Sequence, residues 1–544
     1  MFTTLVAPSR EEALEIAEKY RQPATFGRES SLAWTQAQVQ LHHLRITQDE
    51  AHLFQRLANR LLYTDPTLRE TPQVLARNRG GPSGLWAYGI SGDLPIALVR
   101  IERDEERDVV RQLVRAHEYW HLKGIHADLV ILNAKGSSYA QDFQESLESM
   151  VRASQSAVGH EMQGEHGGVS VLRSDLLSPR DRILLRAAAR VVILARRGTL
   201  SEQVVRLQRS RPGPVPPRLR SPSETAETVS PPTLDLEFFN GLGGFTADGR
   251  EYVTVLGKGQ WTPAPWINVV ANPGFGFQVS ESGSGYTWSE NSRENKLTPW
   301  SNDPVSDTPG ETFYVRDEDS GLLWGPTSLP IREEAWPYVI RHGHGYSRFE
   351  HTSHGIALDL LQLVPLSDPI KISRLTLENR SGHKRRLSVT AYAEWVLGVG
   401  RTGSAPFVVT DIDPATGAMF ARNAWNQEFA NRVAFADLGG RQITWTGDRL
   451  EFLGRNASLD HPASLERGAE LSGRVGAGLD PCAALQTRVE LEPGERAEVL
   501  FFLGQGEDLQ QAQSLVDRYR SLNCAAVLRE VQEHWDRVLG AVQV

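Results

Sequence analysis

The stretch Leu387-Ser-Val-Thr-Ala-Tyr-Ala-Glu-Trp395 decides the fold class, because apolar and polar side chains alternate along it. A period of two is typical of a β-strand with one buried face. The segment Ile372–Glu378 before it is also rich in β-forming residues, and Asn379-Arg-Ser-Gly382 supplies turn-forming residues between the two. We therefore predict a β-hairpin at this point of the chain.

Residues on either side of this hairpin predict two regions of different character. Residues 234–505 are rich in Gly, Trp, Thr and Val with frequent turn signals, which indicates a large antiparallel sandwich. Upstream, Leu94–Ile101 and Ala127–Leu132 have the composition of buried strands, and residues 108–123, 138–152 and 178–189 that of helices. Strands that alternate with helices predict a small, helix-rich α/β fold there.

Proline-rich sequence marks the boundary between the two regions. Arg211-Pro-Gly-Pro-Val-Pro-Pro217 and Ser230-Pro-Pro232 favour an extended, semi-rigid linker. We predict five segments: a module tail with helices at 1–45, a helical and small α/β domain at 46–208, a linker at 209–233, the sandwich at 234–505, and helices at 506–544.

The two ends of the chain resemble each other. Ser9 with Glu12, and Asp508 with Gln511, are matching pairs for capping a helix, and each helix pattern ends in Tyr-Arg before a second helix that carries a tryptophan. We expect residues 1–45 to be the tail of a preceding copy of the same module, in which case the chain is truncated at both sides. The alternative is that two capped helices look alike by chance.

Composition excludes several classes of function. The 544 residues are 40% hydrophobic and 23% charged with a formal charge of −9, so neither a nucleic-acid nor an anionic-membrane partner is predicted. Two cysteines, Cys482 and Cys524, favour a reducing compartment, and we expect a cytoplasmic location. Apolar runs such as 191–195 are far shorter than the ~18 residues that span a bilayer, so no direct membrane insertion is expected.

Two histidine-rich segments raise the question of a metal. His117-Glu-Tyr-Trp-His121 has the spacing of a zinc-peptidase helix. No H-x-x-G-x-x-H extension supplies the third ligand, which leaves Glu145 or Glu148 of the next helix as candidates. A helix with Trp120 facing a core is the alternative. The segment 341–354 contains four histidines without convincing ligand spacing, which favours structural or substrate-contact roles. We predict no metal and no cofactor.

Six of the 13 tryptophans lie between Trp261 and Trp336, among Asn, Glu, Asp and Arg residues. Aromatic faces match the C–H faces of sugars, and these polar side chains match the hydroxyls, so the region predicts a glycan-binding surface. Alternatively, the tryptophans fill the sandwich core. The carboxylates Glu281, Glu290, Glu294 and Asp303 show no spacing that selects a catalytic pair, and no catalytic residue is predicted.

Several longer motifs carry a family resemblance. The segments 238–245, 261–268, 281–304, 314–317 and Arg341-His-Gly-His-Gly-Tyr-Ser347 resemble the cyclic β-1,2-glucan synthases. The last also resembles cellobiose and chitobiose phosphorylases of glycoside hydrolase family 94, formerly glycosyltransferase family 36. The resemblance implies a β-supersandwich, linker helices and then an (α/α)6 barrel that carries the catalytic aspartate. The chain ends at Val544 within the linker-like helices, so we expect it to lack this barrel.

The resemblance leads to a specific functional hypothesis. We expect a multi-domain chain with a small α/β N-terminal region, a large antiparallel β-supersandwich and C-terminal linker helices, which acts as the carbohydrate-binding, accessory portion of such a synthase. Its expected partners are a β-glucan oligosaccharide, a catalytic (α/α)6 barrel in the same or an adjacent polypeptide, and a second copy in a homodimer. The resemblance implies an inner-membrane location for full-length relatives. The alternatives are a purely structural module and the zinc peptidase. The candidate substrate-binding residues are Trp288, Glu290, Asn291, Arg293, Asn295, Trp300, Asn302, Asp303, Arg341, His342 and Tyr346.

Overall fold

A computed structural model describes residues 4–63, 65–135, 140–158, 167–206, 229–456 and 458–541. The chain divides into two compact units. The first contains Met1–Leu68, Trp86–Arg182 and Ala189–Arg211, and the second contains Arg69–Leu85, Ile183–Ala188 and Pro212–Val544. Most of the linker predicted at 209–233 lies outside the described residues, which stop at 206 and resume at 229.

The first unit is built on a four-stranded parallel sheet with strand order β3-β2-β1-β4. Its central strands are nearly continuous apolar runs because helices cover both faces of a parallel sheet. The strands are β1 (Ile96–Ile101), β2 (Asp128–Asn133), β3 (Val169–Arg173) and β4 (Ala189–Leu194). The predicted α/β architecture is thus confirmed, although β3 and β4 were not predicted as strands. Strand β4 follows a helix directly, without a turn residue between them that would mark it in the sequence.

Nine helices of this half of the chain lie within the described residues, and the longer ones bury an apolar stripe. They are α1 (Arg10–Arg21), α2 (Pro23–His43), α3 (Gln48–Leu62), α4 (Pro72–Arg77), α5 (Ser83–Trp86), α6 (Arg107–Leu122), α7 (Ala140–Val158), α8 (Pro179–Ala188) and α9 (Leu200–Arg206). Helix α3 begins with a complete capping box between Thr47 and Glu50. Trp120 of α6 is fully buried and donates its indole N–H to the carbonyl oxygen of Phe54 at 2.9 Å.

The second unit consists mainly of antiparallel sheets of ten, five and three strands. Their orders are β17-β18-β19-β22-β15-β14-β13-β12-β6-β5, β11-β10-β16-β21-β20 and β7-β8-β9. The strands are β5 (Gly243–Phe245), β6 (Glu251–Leu256), β7 (Ile267–Asn272), β8 (Phe275–Ser280), β9 (Gly285–Ser289), β10 (Glu311–Asp317), β11 (Leu323–Trp324), β12 (Tyr338–Gly343), β13 (Tyr346–Ser353), β14 (Ile356–Leu363), β15 (Ile370–Asn379), β16 (Arg385–Glu394), β17 (Val408–Ile412), β18 (Met419–Asn423), β19 (Val433–Asp437), β20 (Thr444–Asp448), β21 (Pro481–Leu491) and β22 (Arg496–Gly506). This architecture confirms the predicted antiparallel sandwich.

Strands β15 and β16 exist as predicted, but they do not pair, so the hairpin prediction is wrong. Strand β15 pairs with β14 and β22 in the ten-stranded sheet, whereas β16 pairs with β10 and β21 in the five-stranded sheet. The turn between them carries the chain from one sheet to the other. Asn379 holds this corner, since its side-chain amide donates to the carbonyl oxygens of His383 and Leu491.

Strand β16 is also buried on both faces, which corrects the expectation of one solvated face. Leu387, Val389 and Ala391 contribute to the main core between the sheets. On the other face, Tyr392 stacks on Phe452 at a centroid distance of 4.9 Å in a second core cluster. Helices α11 (Arg449–Leu453) and α12 (Ala463–Glu466) contribute to this cluster. Because these helices are distant in sequence, the alternation within 387–395 does not indicate that they bury the second face of β16.

An ion pair inside the second unit connects all three of its sheets. Lys371 of β15 lies 2.9 Å from the carboxylate of Glu311 on β10, and both side chains are buried. Thr287 of β9 and Thr298 donate hydroxyl hydrogen bonds to the same carboxylate at 2.5 and 2.6 Å. The Lys371 ammonium also lies 4.1 Å from the centre of the Phe277 ring. The charges therefore have hydrogen-bonded or aromatic partners, as buried charges require.

The last two helices pack on the ten-stranded sheet. They are α13 (Leu509–Arg520) and α14 (Cys524–Leu539), and α13 begins with the predicted cap, in which Asp508 accepts from the Gln511 amide. Helix α1 has the same length, and Ser9 likewise accepts from the Glu12 amide. The short helix α10 (Arg401–Ser404) completes the set in the described part of the chain. Over those same residues, no helix combines the length and apolarity needed to cross a membrane.

Candidate carbohydrate-binding site

Three aromatic side chains form one layered surface, called here the aromatic platform: Tyr286, Trp288 and Trp300. Tyr286 and Trp288 alternate along β9, so their side chains share one face of the strand. The ring centroids of Tyr286 and Trp288 are 5.3 Å apart, and Trp300 stacks on Tyr286 at 5.5 Å with an interplanar angle of 22°. Trp300 is 46% exposed and Trp288 is half-buried, so solvent reaches the indoles.

The position of Trp288 depends on a glycine in the neighbouring strand. Gly276 of β8 lies directly opposite Trp288, and a Cβ atom at this position would lie 2.6 Å from Cζ2 of the indole and 2.7 Å from Cβ of Ala271. Non-bonded contacts of a Cβ atom are essentially never this short, so any larger residue would displace the indole ring. Gly276 therefore allows the indole to lie across the strand.

Strand register shows which side of the small sheet carries the platform. Trp288 lies opposite Gly276, and Gly276 opposite Ala271, so these residues share one face of β7-β8-β9. Val269 lies on the same face of β7 and is exposed. Asn268, on the other face, donates its side-chain amide to the carbonyl oxygens of Gly343 and Tyr346 at 3.1 and 2.8 Å. The platform thus lies on the solvent side of the small sheet, and its reverse side contacts the ten-stranded sheet.

Glu290 provides a charged group two residues beyond Trp288. Its backbone has a φ of +63°, and its amide donates to the carbonyl oxygen of Gly274 at 2.7 Å. Its carboxylate lies 3.0 Å from the guanidinium of Arg432, a residue that sequence reasoning missed. This ion pair is partly exposed and offers both hydrogen-bond donors and acceptors to a ligand.

Other polar residues of the predicted site form hydrogen bonds that stabilise the loop in which they lie. Asn291 accepts from the amides of Arg293 and Glu294, at 2.9 and 3.0 Å. Asn295 is fully buried and donates to Ser289 and Gln505, at 2.9 and 2.8 Å. These bonds fix the loop geometry. Two further candidates are exposed at the loop surface: Arg293, whose guanidinium pairs with Glu294 at 3.2 Å, and Asn302, whose φ is +47°.

Asp303 is engaged in a similar way at the end of this loop. Its carboxylate accepts from the Ser306 hydroxyl at 2.6 Å and from the Val305 amide at 2.9 Å. The Ser306 hydrogen bond, followed by those from the backbone amides, holds the pKa of Asp303 below its usual value. Asp303 therefore remains an anion that shapes the loop around Trp300.

Two of the predicted residues at 341–346, Arg341 and Tyr346, meet at Glu251. Arg341 pairs with one carboxylate oxygen of Glu251 at 3.0 Å, and the hydroxyl of Tyr346 donates to the other at 2.6 Å. His342 contacts the Ser347 hydroxyl at 3.0 Å, and burial lowers the pKa of His342 to about 4, so this imidazole is neutral at pH 7. The structure therefore groups Trp288, Glu290 and Trp300 on the solvent side of the small sheet. Arg341 and Tyr346 lie with Glu251 on the face of the ten-stranded sheet that packs against α14, and His342 lies on the opposite face.

The sequence of the second unit matches a known family over the same region. Residues 250–522 match the model described as glycosyl hydrolase 94, supersandwich domain. The chain belongs to the family-94 supersandwich family. The match covers β7-β8-β9 and so includes the aromatic platform, which places the platform within the family's own domain.

Curated relatives of this family-94 supersandwich chain are enzymes that act on carbohydrates. The cyclic beta-(1,2)-glucan synthase NdvB of Rhizobium meliloti (strain 1021) is 38% identical over 100% of this chain and 20% of its own length. The N,N'-diacetylchitobiose phosphorylase of Vibrio furnissii is 26% identical over 56% of this chain and 38% of its own. The solabiose phosphorylase of Paenibacillus borealis is 28% identical over 51% of this chain and 36% of its own. The chain thus spans about a fifth of the synthase and over a third of the phosphorylases.

The described residues of this family-94 supersandwich chain do not support the zinc-peptidase alternative. His117 is buried on α6, and its Nε2 lies 2.9 Å from the carbonyl oxygen of Ala127. A carbonyl only accepts, so this nitrogen carries the hydrogen and has no lone pair for a metal. Burial, reinforced by the neighbouring His121, lowers the pKa of His117 to about 4. Over the described ranges, no group of three or more potential ligands is arranged to hold a metal ion.

The second histidine segment has a structural arrangement in its C-terminal part. The carboxylate of Glu333 lies 2.6 Å from Nε2 of His354 and 3.4 Å from Nε2 of His351. Burial acts to raise the pKa of Glu333, but hydrogen bonds from His351 and His354 outweigh it and lower this pKa to about 2. His351 also stacks on Tyr338 at 4.0 Å. This cluster therefore joins β13 to the loop before β12.

Proposed function

We propose that this chain is an accessory, glucan-contacting part of an enzyme similar to the cyclic β-1,2-glucan synthases. The observation that carries the proposal is the aromatic platform on the solvent side of β7-β8-β9. Indole rings contact the C–H faces of a sugar with little loss of side-chain freedom, and the buried Tyr286 supports the two indoles from below. The Glu290–Arg432 ion pair near the platform provides directional hydrogen bonds for the hydroxyls of the same sugar.

Truncating the platform is expected to weaken glucan binding without unfolding the protein. We expect Trp300→Ala to raise the dissociation constant for a β-1,2-linked glucan oligosaccharide about tenfold, which corresponds to about 1.4 kcal/mol. Trp288→Ala should have a similar effect. Titration calorimetry measures the affinity, and thermal unfolding reports the fold. Trp34→Ala is the matched control, because Trp34 is an exposed tryptophan of the other compact unit.

The second candidate is a structural module that contacts no sugar. It is favoured by Asn291, Asn295 and Asp303, whose polar groups bond within their own part of the fold. The two candidates differ in one measurable respect. If Trp300→Ala lowers the melting temperature while glucan fails to bind even the unchanged protein, the structural candidate replaces the first.

We further propose that the catalytic partner is an (α/α)6 barrel in the same or an adjacent polypeptide, in a cytoplasmic homodimer. Support comes from the similarity to phosphorylases that are much longer than this chain. On this proposal, the purified chain mixed with β-1,2-glucan and phosphate releases no glucose 1-phosphate. A coupled assay for glucose 1-phosphate measures this, and release above a boiled control would contradict it.

A further inference from the structure

A small recess in the second unit combines an apolar floor with an arginine-rich rim. Its volume is about 20 Å³, which is room for one small group. The side chains of Leu75, Ala187 and Ala477 pack together beneath it and are buried. Arg69 and Arg79 line it from the segment Arg69–Leu85, and Arg422 lines it from the segment Pro212–Val544 of this unit. Three guanidinium groups around one recess form an unusual concentration of positive charge.

Arg422 reaches the recess from a β-strand. It lies on β18 directly opposite Val409 of β17, which also lines the recess. Its side chain is half-buried, and its Nε–H is shielded from solvent without a hydrogen-bond partner. Burial lowers the pKa of Arg422, and the charge of Arg79 lowers it further, whereas Asp411 acts in the opposite direction. The recess therefore holds a desolvated cation beside a second cation.

Arg69 is held rigidly at the same recess. Its Nη1 donates to the carbonyl oxygen of Pro406 at 2.5 Å, and its Nη2 to that of Ala187 at 2.8 Å. The guanidinium also lies 5.9 Å from the centre of the Phe407 ring, which stacks on Trp425 at 4.2 Å. These contacts orient the guanidinium group at the edge of the recess.

Carboxylates of the described residues do not neutralise the other two arginines. Among the described residues, neither Arg79 nor Arg422 forms an ion pair with a carboxylate. Glu70, which neighbours Arg69 in sequence, pairs with Arg186 at 2.7 Å. Asp411 is exposed and lies beyond ion-pair distance of Arg422. A half-buried guanidinium beside a second cation costs free energy that a bound anion would recover.

We propose that this recess binds an oxyanion, with Arg422 and Arg79 as its principal ligands and Arg69 as a fixed third cation. Guanidinium groups bind phosphate through pairs of parallel N–H···O bonds, a geometry that suits a tetrahedral anion. The volume admits one edge of the anion, while the remainder projects toward solvent. The ligand chemistry is therefore a phosphate group, either free or attached to a sugar, whose ring would lie near Phe407.

The test is a titration of the full chain with inorganic phosphate, with glucose 6-phosphate and with glucose, at constant ionic strength. We expect saturable binding of phosphate, and a dissociation constant that rises about tenfold or more in Arg422→Gln. Arg79→Gln should raise it severalfold, and because Arg79 is exposed this variant preserves the fold. Arg488→Gln is the matched control, since Arg488 is an exposed arginine paired with Glu470 elsewhere in this unit.

Each outcome decides the proposal. Tighter binding of glucose 6-phosphate than of phosphate identifies a sugar phosphate as the ligand, and equal binding identifies free phosphate. Absence of saturable binding overturns the proposal, as does a phosphate affinity that is the same in Arg79→Gln and Arg488→Gln. Trp300→Ala should leave phosphate binding unchanged, so failure here and failure of glucan binding at the platform are distinguishable.

Discussion

Lys371→Met is expected to lower the free energy of unfolding by about 3–5 kcal/mol, because it leaves the carboxylate of Glu311 buried without its ionic partner. Methionine retains the length of the side chain, so packing against Phe277 is largely preserved. Denaturant unfolding monitored by tryptophan fluorescence measures the loss. Lys384→Met is the matched control, since Lys384 pairs with Glu490 at the surface, where such pairs contribute about 0–1 kcal/mol.

The contribution of Glu311 to the free energy of unfolding depends on pH, and the direction follows from its pKa. Burial acts to raise the pKa of Glu311, but Lys371 and the Thr287 and Thr298 hydroxyls together hold it below its usual value. The group therefore stabilises the native protein above the unfolded pKa of about 4.3, and this contribution is lost as the pH falls through the lower native pKa. Without Lys371, burial dominates and the native pKa rises.

Acidification should consequently narrow the stability difference between the unchanged protein and Lys371→Met, because the variant can protonate its buried carboxyl. The double variant with Glu311→Gln should recover part of the loss at neutral pH. A difference that stays constant between pH 7 and about pH 4 would contradict the assignment of the effect to the Glu311 charge.

Gly345→Ala is expected to destabilise the protein by about 2–5 kcal/mol, through two separate costs. The backbone φ of Gly345 is +80°, a conformation that disfavours any residue with a Cβ atom. That Cβ would also lie 2.5 Å from Cδ1 of Trp535 and from Cγ1 of Val531, both on α14. The tight turn before β13 and the last helix are therefore in direct contact only because position 345 is glycine.

Gly494→Ala separates these two costs. Gly494 has the same φ of +80°, but a Cβ atom there would meet no heavy atom within 4 Å. We expect this control to lose only the conformational part, about 1–2 kcal/mol. Equal losses in the two variants, measured by thermal or denaturant unfolding, would show that α14 does not press on the turn in solution.

Local sequence patterns predicted the strands of the sandwich but not their partners. The alternation in 387–395 correctly places a strand, yet its neighbours β10 and β21 are about 70 and 100 residues away in the chain, and the turn at 379–382 resembles that of a hairpin. Sheet partners are chosen by packing across the whole core, which no window of the sequence contains.

The same distinction holds for the candidate site. Trp288 and Trp300 were predicted from the tryptophan-rich composition of their region together with the family resemblance of segment 281–304, because tryptophans among polar residues suit a sugar surface. Tyr286 was missed because a tyrosine on an alternating strand resembles a core residue, and Arg432 because it is 142 positions from Glu290. The role of Gly276 could have been predicted from Phe275-Gly-Phe277, because a glycine inside a strand often marks the close approach of another group.

The chain crossing at 379–382 has a consequence for biosynthesis. Strand β15 is synthesised long before β22, with which it pairs over nine register positions from Ile370 to Glu378. Strand β16 is likewise synthesised long before its partner β21. The paired residues lie about 90–105 positions apart for β16 and β21, and about 120–135 for β15 and β22, which at about 5–20 residues per second takes at least several seconds to synthesise. During this interval the unpaired edges of β15 and β16 are open to wrong partners. A nascent chain that stalls before residue 481 therefore exposes the ribosome-bound sandwich to aggregation, and we expect chaperone dependence to be concentrated in this window.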